Sequence, residues 1–312
     1  MPLNRNWGIS IMGETPEAPI SGTQLDRWRD RAIAEAAAVE IDPQEIDWLL
    51  CELAGLDRLS LRLKTYRDRP RVPLRVSLDT LDRLWQRRLH QREPVQYLAG
   101  IAPWREFSLA VSPQVLIPRP ETEYLIDLVQ RAVGDSDLAG GHWADLGTGS
   151  GAIALGLAQV LSEAIVHAVD TSETALEIAR NNAGRARLGD RIQFHRGSWF
   201  EPLAALDSPL NGMVSNPPYI PTAEIPRLQP EVARHEPHQA LDGGADGLDC
   251  IRHLVATAPN YVRSGGIWAI EMMAGQADAV VQLLRDRGSY DNICIEADLT
   301  GIERFAIARL KN

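Results

Sequence analysis

Lysine is nearly missing from this chain. Of its 32 basic residues only Lys64 and Lys311 are lysines, a compositional bias that none of the chemistry below requires. Cysteine is scarce as well. Cys51, Cys250 and Cys294 are far apart, odd in number and without a Cys-x-x-Cys pair. That argues against a disulfide framework or a structural zinc site and suits a reducing compartment. No apolar run reaches the roughly 18 residues that a membrane-spanning helix needs. Residues 1–20 hold one arginine and a broken apolar patch from Trp7 to Met12, too short for the core of a signal peptide. Net positive charge is lacking too: the chain carries −10, and residues 96–312 set 17 basic against 27 acidic side chains. A general nucleic-acid binder would show a basic footprint instead. The expectation is a cytoplasmic protein with no membrane segment and no direct contact with nucleic acid.

What is present is ordinary globular material, 45% hydrophobic and 24% charged over 312 residues, about two domains by length. Residues 1–20 read as a poorly ordered tail. From residue 21 the apolar positions recur at helical spacing: Leu25, Trp28, Ala32, Ile33 and Ala36, with Ser21 or Thr23 as caps. Asp42-Pro43 starts a second helix, with Glu45 near the capping-box position, the stripe Ile46, Leu49, Leu50 and Leu53, and Gly55 as its stop. Ser77 to Gln91 gives a third, with Leu78, Leu81, Leu84, Trp85 and Leu89 on one face. These make a small helical unit over 21–95. Residues 96–118 read as a hairpin linker, and from 119 to 312 strands and helices alternate, which predicts a mainly parallel sheet covered on both faces. Ligands of such sheets bind beyond the carboxyl ends of the strands. The site is therefore expected just after Leu146, Val169, His195 and Ser215.

The first of these strands runs into Asp145-Leu146-Gly147-Thr148-Gly149-Ser150-Gly151. Alternating glycines allow a tight turn and close approach of the backbone to a ligand. The spacing also satisfies a relaxed dinucleotide fingerprint, so the loop alone indicates a nucleoside without saying which. Asp170 ends the next strand, placed for ribose hydroxyls or, more plainly, as a helix cap. The fourth strand ends in Ser215-Asn216-Pro217-Pro218-Tyr219, where the prolines take the chain out of the sheet and restrict Asn216. An Asn-Pro-Pro-Tyr tetrapeptide there resembles the signature of S-adenosylmethionine-dependent methyltransferases acting on a planar amide or amino nitrogen. Such a nitrogen is a poor nucleophile. The Asn216 oxygen and the Pro217 carbonyl can accept its two N–H groups, and Tyr219 offers a flat wall.

The resemblance extends to Glu93-Pro94-Val95-Gln96-Tyr97-Leu98-Ala99-Gly100 and to Val115-Leu116-Ile117-Pro118-Arg119-Pro120-Glu121-Thr122-Glu123. With the two loops above, in this order and spacing from about residue 21 onward, the chain resembles the bacterial PrmC/HemK family of release factor glutamine methyltransferases. The resemblance implies an α/β fold: a seven-stranded Rossmann-like methyltransferase domain with a small N-terminal helical domain joined by a β-hairpin. It implies methyl transfer from S-adenosyl-L-methionine to the glutamine of the Gly-Gly-Gln motif in class I peptide chain release factors. Gly147, Thr148, Gly149, Ser150, Gly151 and Asp170 would then hold the cofactor, with Trp199 near its adenine. Asn216 would join cofactor and substrate sites, and Pro217, Pro218 and Tyr219 would line the glutamine pocket. Asn216, Pro217 and Tyr219 are the expected catalytic set. The chain departs from the family's usual pattern at Ser198, where aspartate is frequent, and at Met273, where glycine is usual two residues after Glu271.

Two other readings stay open at this stage: a sibling enzyme methylating a ribosomal-protein glutamine, and an amino-methyltransferase of nucleic acid. His235-Glu236-Pro237-His238 is no metal pair, because Pro237 disfavours the helix that would align the imidazoles, and the segment is expected to border the substrate cleft. Glu121 and Glu123 read as first-turn carboxylates, and Arg119, fixed between prolines, as a brace for the cofactor-side wall. Arg58, Arg62, Lys64, Arg67, Arg69, Arg71 and Arg75 suggest a basic face on the helical unit that docks an acidic protein partner.

Overall fold

A computed structural model describes residues 20–134 and 136–311. The expected tail therefore lies outside the described residues, except Ile20, which is buried and bridges to Val72. The chain divides into two compact units between Gly100 and Ile101.

The first unit is helical: α1 Gly22–Ala38, α2 Gln44–Ala54, α3 Arg58–Leu63, α4 Leu78–Gln91 and α5 Val95–Ala99. Ser21 caps α1 in a full capping box with Gln24. The stripe on α1 buries Leu25, Trp28, Ala32 and Ala36. Leu49, Leu50 and Leu53 of α2 and Leu81, Trp85 and Leu89 of α4 complete this core. Glu45 is not a capping-box residue, because it forms a two-pronged ion pair with Arg88 of α4, at 2.5 and 2.8 Å. The indole of Trp28 donates to Asp82, so a polar clasp crosses from α1 to α4. Gly55, left-handed at φ 61, ends α2 as expected. The helices α3 and α5 are too short to have shown a period.

The second unit opens with a hairpin, β1 Ile101–Trp104 and β2 Phe107–Ala110. It continues with α6 Glu123–Val133, β3 Gly140–Leu146, α7 Ala152–Val160, β4 Glu163–Asp170, α8 Glu173–Ala186 and β5 Ile192–Arg196. Then come β6 Leu210–Ser215, α9 Pro230–His235, α10 Asp249–Thr257, β7 Val262–Glu271, α11 Ala277–Arg287, β8 Tyr290–Ala297 and β9 Glu303–Leu310. Seven strands form one sheet in the order β5-β4-β3-β6-β7-β9-β8. Six strands point the same way, but β9 runs antiparallel between β7 and β8, so the sheet is mixed. The reason is the short turn at residues 298–302, which returns the chain as a hairpin where a helical crossover would have kept it parallel.

Both sheet faces are buried, so the central strands read as continuous apolar runs. In β7, Ile267 and Ala269 enter the core beneath α6 and α7, while Trp268 and Ile270 enter the one beneath α10 and α11. Gly212 in β6 is required by packing: a Cβ there would lie 2.4 Å from the ring of Trp143. Strand order reverses at β3 and β6, which puts the crevice beyond their carboxyl ends. Among the described residues no helix is long and apolar enough to cross a membrane.

Candidate active site

The glycine loop is held from beneath. Asp145, fully buried near the end of β3, accepts the Thr148 hydroxyl at 2.5 Å and the Ala154 amide of α7 at 2.9 Å. Burial pushes its carboxyl up to about 7 in spite of these bonds. The amides of Gly147 and Thr148 both donate to the Val169 carbonyl, tying the loop to the end of β4. Gly149 turns at φ 53, with open space where a Cβ would stand. Gly151, at φ 85, lets α7 start only 3.1 Å from Ala179 of α8 as measured from its absent Cβ. Asn182 of α8 donates to the Ser150 carbonyl, fixing the far side of the turn.

Asp170 ends β4 half-buried. One carboxylate oxygen accepts the Gly149 amide and the other the Ser172 amide, each at 2.9 Å. Ser172, not Asp170, caps α8, because its hydroxyl accepts from the Ala175 amide. Each oxygen of Asp170 still has a lone pair for a ligand hydroxyl. Burial raises its carboxyl above the ordinary range, partly offset by the amides that point at it. After β5, Trp199 adopts a left-handed backbone at φ 49. Such strain in a bulky residue is found where a side chain has been aimed at a site.

Gly147, Gly149, Asp170, Trp199, Asn216 and Pro218 all line one cavity of about 570 Å³. Ser198 also lines it, in place of the carboxylate that the resemblance anticipates. This volume suits a small-molecule ligand. Main-chain turns, the Asp170 carboxylate, the Trp199 indole and the Asn216 carboxamide are a group set that a nucleoside with a charged amino-acid tail can use. S-Adenosylmethionine fits it. Thr148 faces inward to Asp145, Ser150 is buried, and Gly151 serves helix packing, so these three act beneath the wall.

The far wall is built differently. Ser215 donates to the Leu146 carbonyl at 2.6 Å, locking β6 to β3 where the chain leaves the sheet. Asn216 Nδ2 donates to Thr122 Oγ1 at 3.2 Å, Thr122 donates to Glu271 Oε2 at 2.5 Å, and Tyr219 donates to Glu271 Oε1 at 3.0 Å. Gln276 holds the Tyr219 carbonyl at 3.0 Å. Tyr219 and Pro217 do not line the cavity; the Tyr219 hydroxyl faces Glu271 instead. Thr122 and Glu271 were not singled out for a role in the sequence. The available signal was an acid at the carboxyl end of the apolar strand Ile267–Glu271, the same placement as Asp170.

Arg119 pairs at 2.6 Å with Glu236, whose side chain is almost fully buried, and its carbonyl accepts the Trp104 indole. Pro237 and His238, next in the chain, line the cavity, and Gln239 donates to Thr171 at 2.8 Å. The segment is thus pinned beside the pocket from both ends. Glu123 is more than a first-turn acid: it accepts the Arg105 amide and so anchors the hairpin turn. Among the described residues no group of three or more His, Cys, Asp and Glu is placed to hold a metal ion.

Residues 122–230 match the family model for the Methyltransferase small domain. The chain is 50% identical over 293 residues to the release factor glutamine methyltransferase of Synechocystis sp., covering 93% of this chain and 97% of the relative. To the protein of that name from Gloeobacter violaceus it is 47% identical over 282 residues, 90% of this chain and 96% of the relative. Among solved structures, the hMettl16 catalytic domain in complex with MAT2A 3′UTR hairpin 6 is similar at a TM-score of 0.53. It is 15% identical, with 78% of this chain and 86% of that one covered, and the likeness is one of fold.

Proposed function

The chain belongs to the release factor glutamine methyltransferase family, and from that membership we propose that it methylates the glutamine of the Gly-Gly-Gln motif in class I peptide chain release factors. S-Adenosylmethionine would supply the electrophilic methyl group. Asp170 accepts the ribose hydroxyls, the turns at Gly147 and Gly149 give close backbone contact, and Trp199 covers the adenine. Asn216 and the Pro217 carbonyl accept the two N–H groups of the substrate amide, which leaves its nitrogen lone pair aimed along the line of transfer. Tyr219, whose hydroxyl is held by Glu271 outside the cofactor cavity, would wall the adjoining amide site. In-line positioning of this kind supplies roughly 7–11 kcal/mol of a barrier.

One observation carries this reading: Asn216 lines the same cavity as Gly147, Gly149, Asp170 and Trp199. The exposed arginines Arg62, Arg69 and Arg71 of the helical unit steer and dock the release factor. The enzyme would act in the cytoplasm, where that substrate is made. The test is incubation with isotopically labelled S-adenosylmethionine and purified class I release factor, with mass spectrometry of the Gly-Gly-Gln peptide. One added methyl on the glutamine is expected. An unmodified factor, together with a labelled ribosomal protein, would move the assignment to that substrate.

A further inference from the structure

An asparagine side chain can present either its oxygen or its NH2 to a neighbour, and only one choice suits a substrate amide. The substrate nitrogen brings two N–H donors, so an Asn216 turned the wrong way would oppose donor to donor. Three residues stand behind Asn216. Glu271, the last residue of β7, is 2% exposed and receives the hydroxyls of Thr122 and Tyr219, one on each oxygen. An ionised carboxylate only accepts, so each hydroxyl must spend its single proton there. Thr122 Oγ1 is then left with lone pairs alone, and it meets Asn216 through Nδ2 at 3.2 Å.

We propose that Glu271 and Thr122 are positioning residues for methyl transfer: the carboxylate, acting through the Thr122 hydroxyl, holds the Asn216 amide with Oδ1 toward the substrate. This rests on the reading of Asn216 as acceptor of the glutamine N–H groups. Neither residue touches the reacting atoms. Thr122 comes from the turn before α6, 149 positions away from Glu271 in sequence, so the two meet only through the fold.

The relay has a protonation state in which it fails. A neutral Glu271 carboxyl can donate to Thr122 Oγ1. The Thr122 proton then turns to Asn216 and draws its oxygen inward. The groups that face Glu271 are Thr122 and Glu121 before α6, Tyr219 after β6 and Arg304 on β9. Burial favours the neutral acid most strongly and Glu121 adds to that; the two hydroxyls and Arg304 oppose it, and the net direction is upward. Arg119 acts on the neighbouring Tyr219 in the same sense as Arg304. Because the protonated form is the failing one, the rate should fall on the acid side as Glu271 takes up its proton.

The experiment is single-turnover methylation of purified class I release factor by the full-length enzyme across pH, with cofactor affinity and melting temperature measured on the same samples. The wild type should show an acid limb. Thr122→Val should be roughly tenfold slower at neutral pH, with the limb flattened and cofactor affinity kept. Thr122→Ser, which restores the hydroxyl, should recover both rate and limb. Glu271→Gln, which cannot titrate, should be slow and flat, and it carries the test if the valine variant fails to fold. A purely structural role would lower melting temperature and leave the shape of the pH profile alone. Wild-type rate and an unchanged acid limb in Thr122→Val or in Glu271→Gln overturn the inference by itself. A wild type that leaves the glutamine unmodified removes the functional reading, and the inference with it.

Discussion

On the side of β3 and β4 the cavity wall is main chain. Thr148 and Asp145 are spent beneath it, and Asp170 divides its oxygens between two backbone amides before any ligand arrives. On the side of β6 and β7 a side chain, Asn216, reaches the cavity, and behind it Thr122, Glu271 and Tyr219 are joined through their own polar atoms. The first arrangement is harmed by an added Cβ, because its glycines turn at positive φ. The second depends on which atom of one amide faces outward. A ligand that must be gripped in every turnover suits a rigid backbone cradle. A nitrogen that must be oriented before it can react needs a polar group with a defined sense.

The contrast is broken most sharply at Asn216. Asn216→Ala should reduce single-turnover methylation by a hundredfold or more, roughly the cost of a misplaced reacting group, with cofactor binding weakened but measurable. Near-normal turnover would show that the side-chain wall does not orient the substrate.

The next effect belongs to the backbone-walled half and reads in stability. His142, His167 and His195 stand side by side on β3, β4 and β5, with ring nitrogens 2.8 and 2.9 Å apart. Burial, reinforced by the two flanking imidazoles, lowers His167 to about 4. The unfolded chain therefore binds this proton first, and stability falls as pH drops from about 6.5 toward 4, by about 3 kcal/mol in total. Asp145, raised to about 7, works the other way, because its burial costs stability as pH climbs from 3.8. Urea melts of wild type and His167→Gln across this window separate the two. The variant should lose the His167 part of the acid destabilisation and keep both the part owed to His195, which burial also lowers, and the Asp145 slope.

Asp170→Ala should weaken cofactor binding by about 1.5–3 kcal/mol, the worth of hydrogen bonds to a charged acceptor, and calorimetry reads it directly. Gly151→Ala adds a Cβ at φ 85, 3.1 Å from Ala179, and should destabilise the fold by about 1–2 kcal/mol in the same melts. Smallest is the docking effect. Changing exposed Arg62, Arg69 and Arg71 to glutamate should raise KM for the release factor by about tenfold at low salt, fading as salt rises, with KM for S-adenosylmethionine unaltered.

The two walls were not equally legible in the sequence. The glycine loop, Asp170 and Asn216–Tyr219 were readable because each follows an apolar strand, and the rule for parallel sheets places strand ends at the crevice. The antiparallel β9 had a signal too, Thr300-Gly301 in a turn too short for a crossover helix, but the preceding alternation masked it. The side-chain relay was not readable. Thr122 sat inside a Pro-rich segment and Glu271 far downstream, and nothing local says that their oxygens lie 2.5 Å apart. Contacts between remote segments are set by packing of the sheet, which pattern and spacing do not encode.

The division of labour is tested most directly by single-turnover methylation of the release factor glutamine by Asp170→Ala at saturating S-adenosylmethionine. If the backbone wall only holds the cofactor and the side-chain wall orients the substrate, saturation restores a rate close to that of the wild type. A saturated rate as low as that of Asn216→Ala would contradict the account.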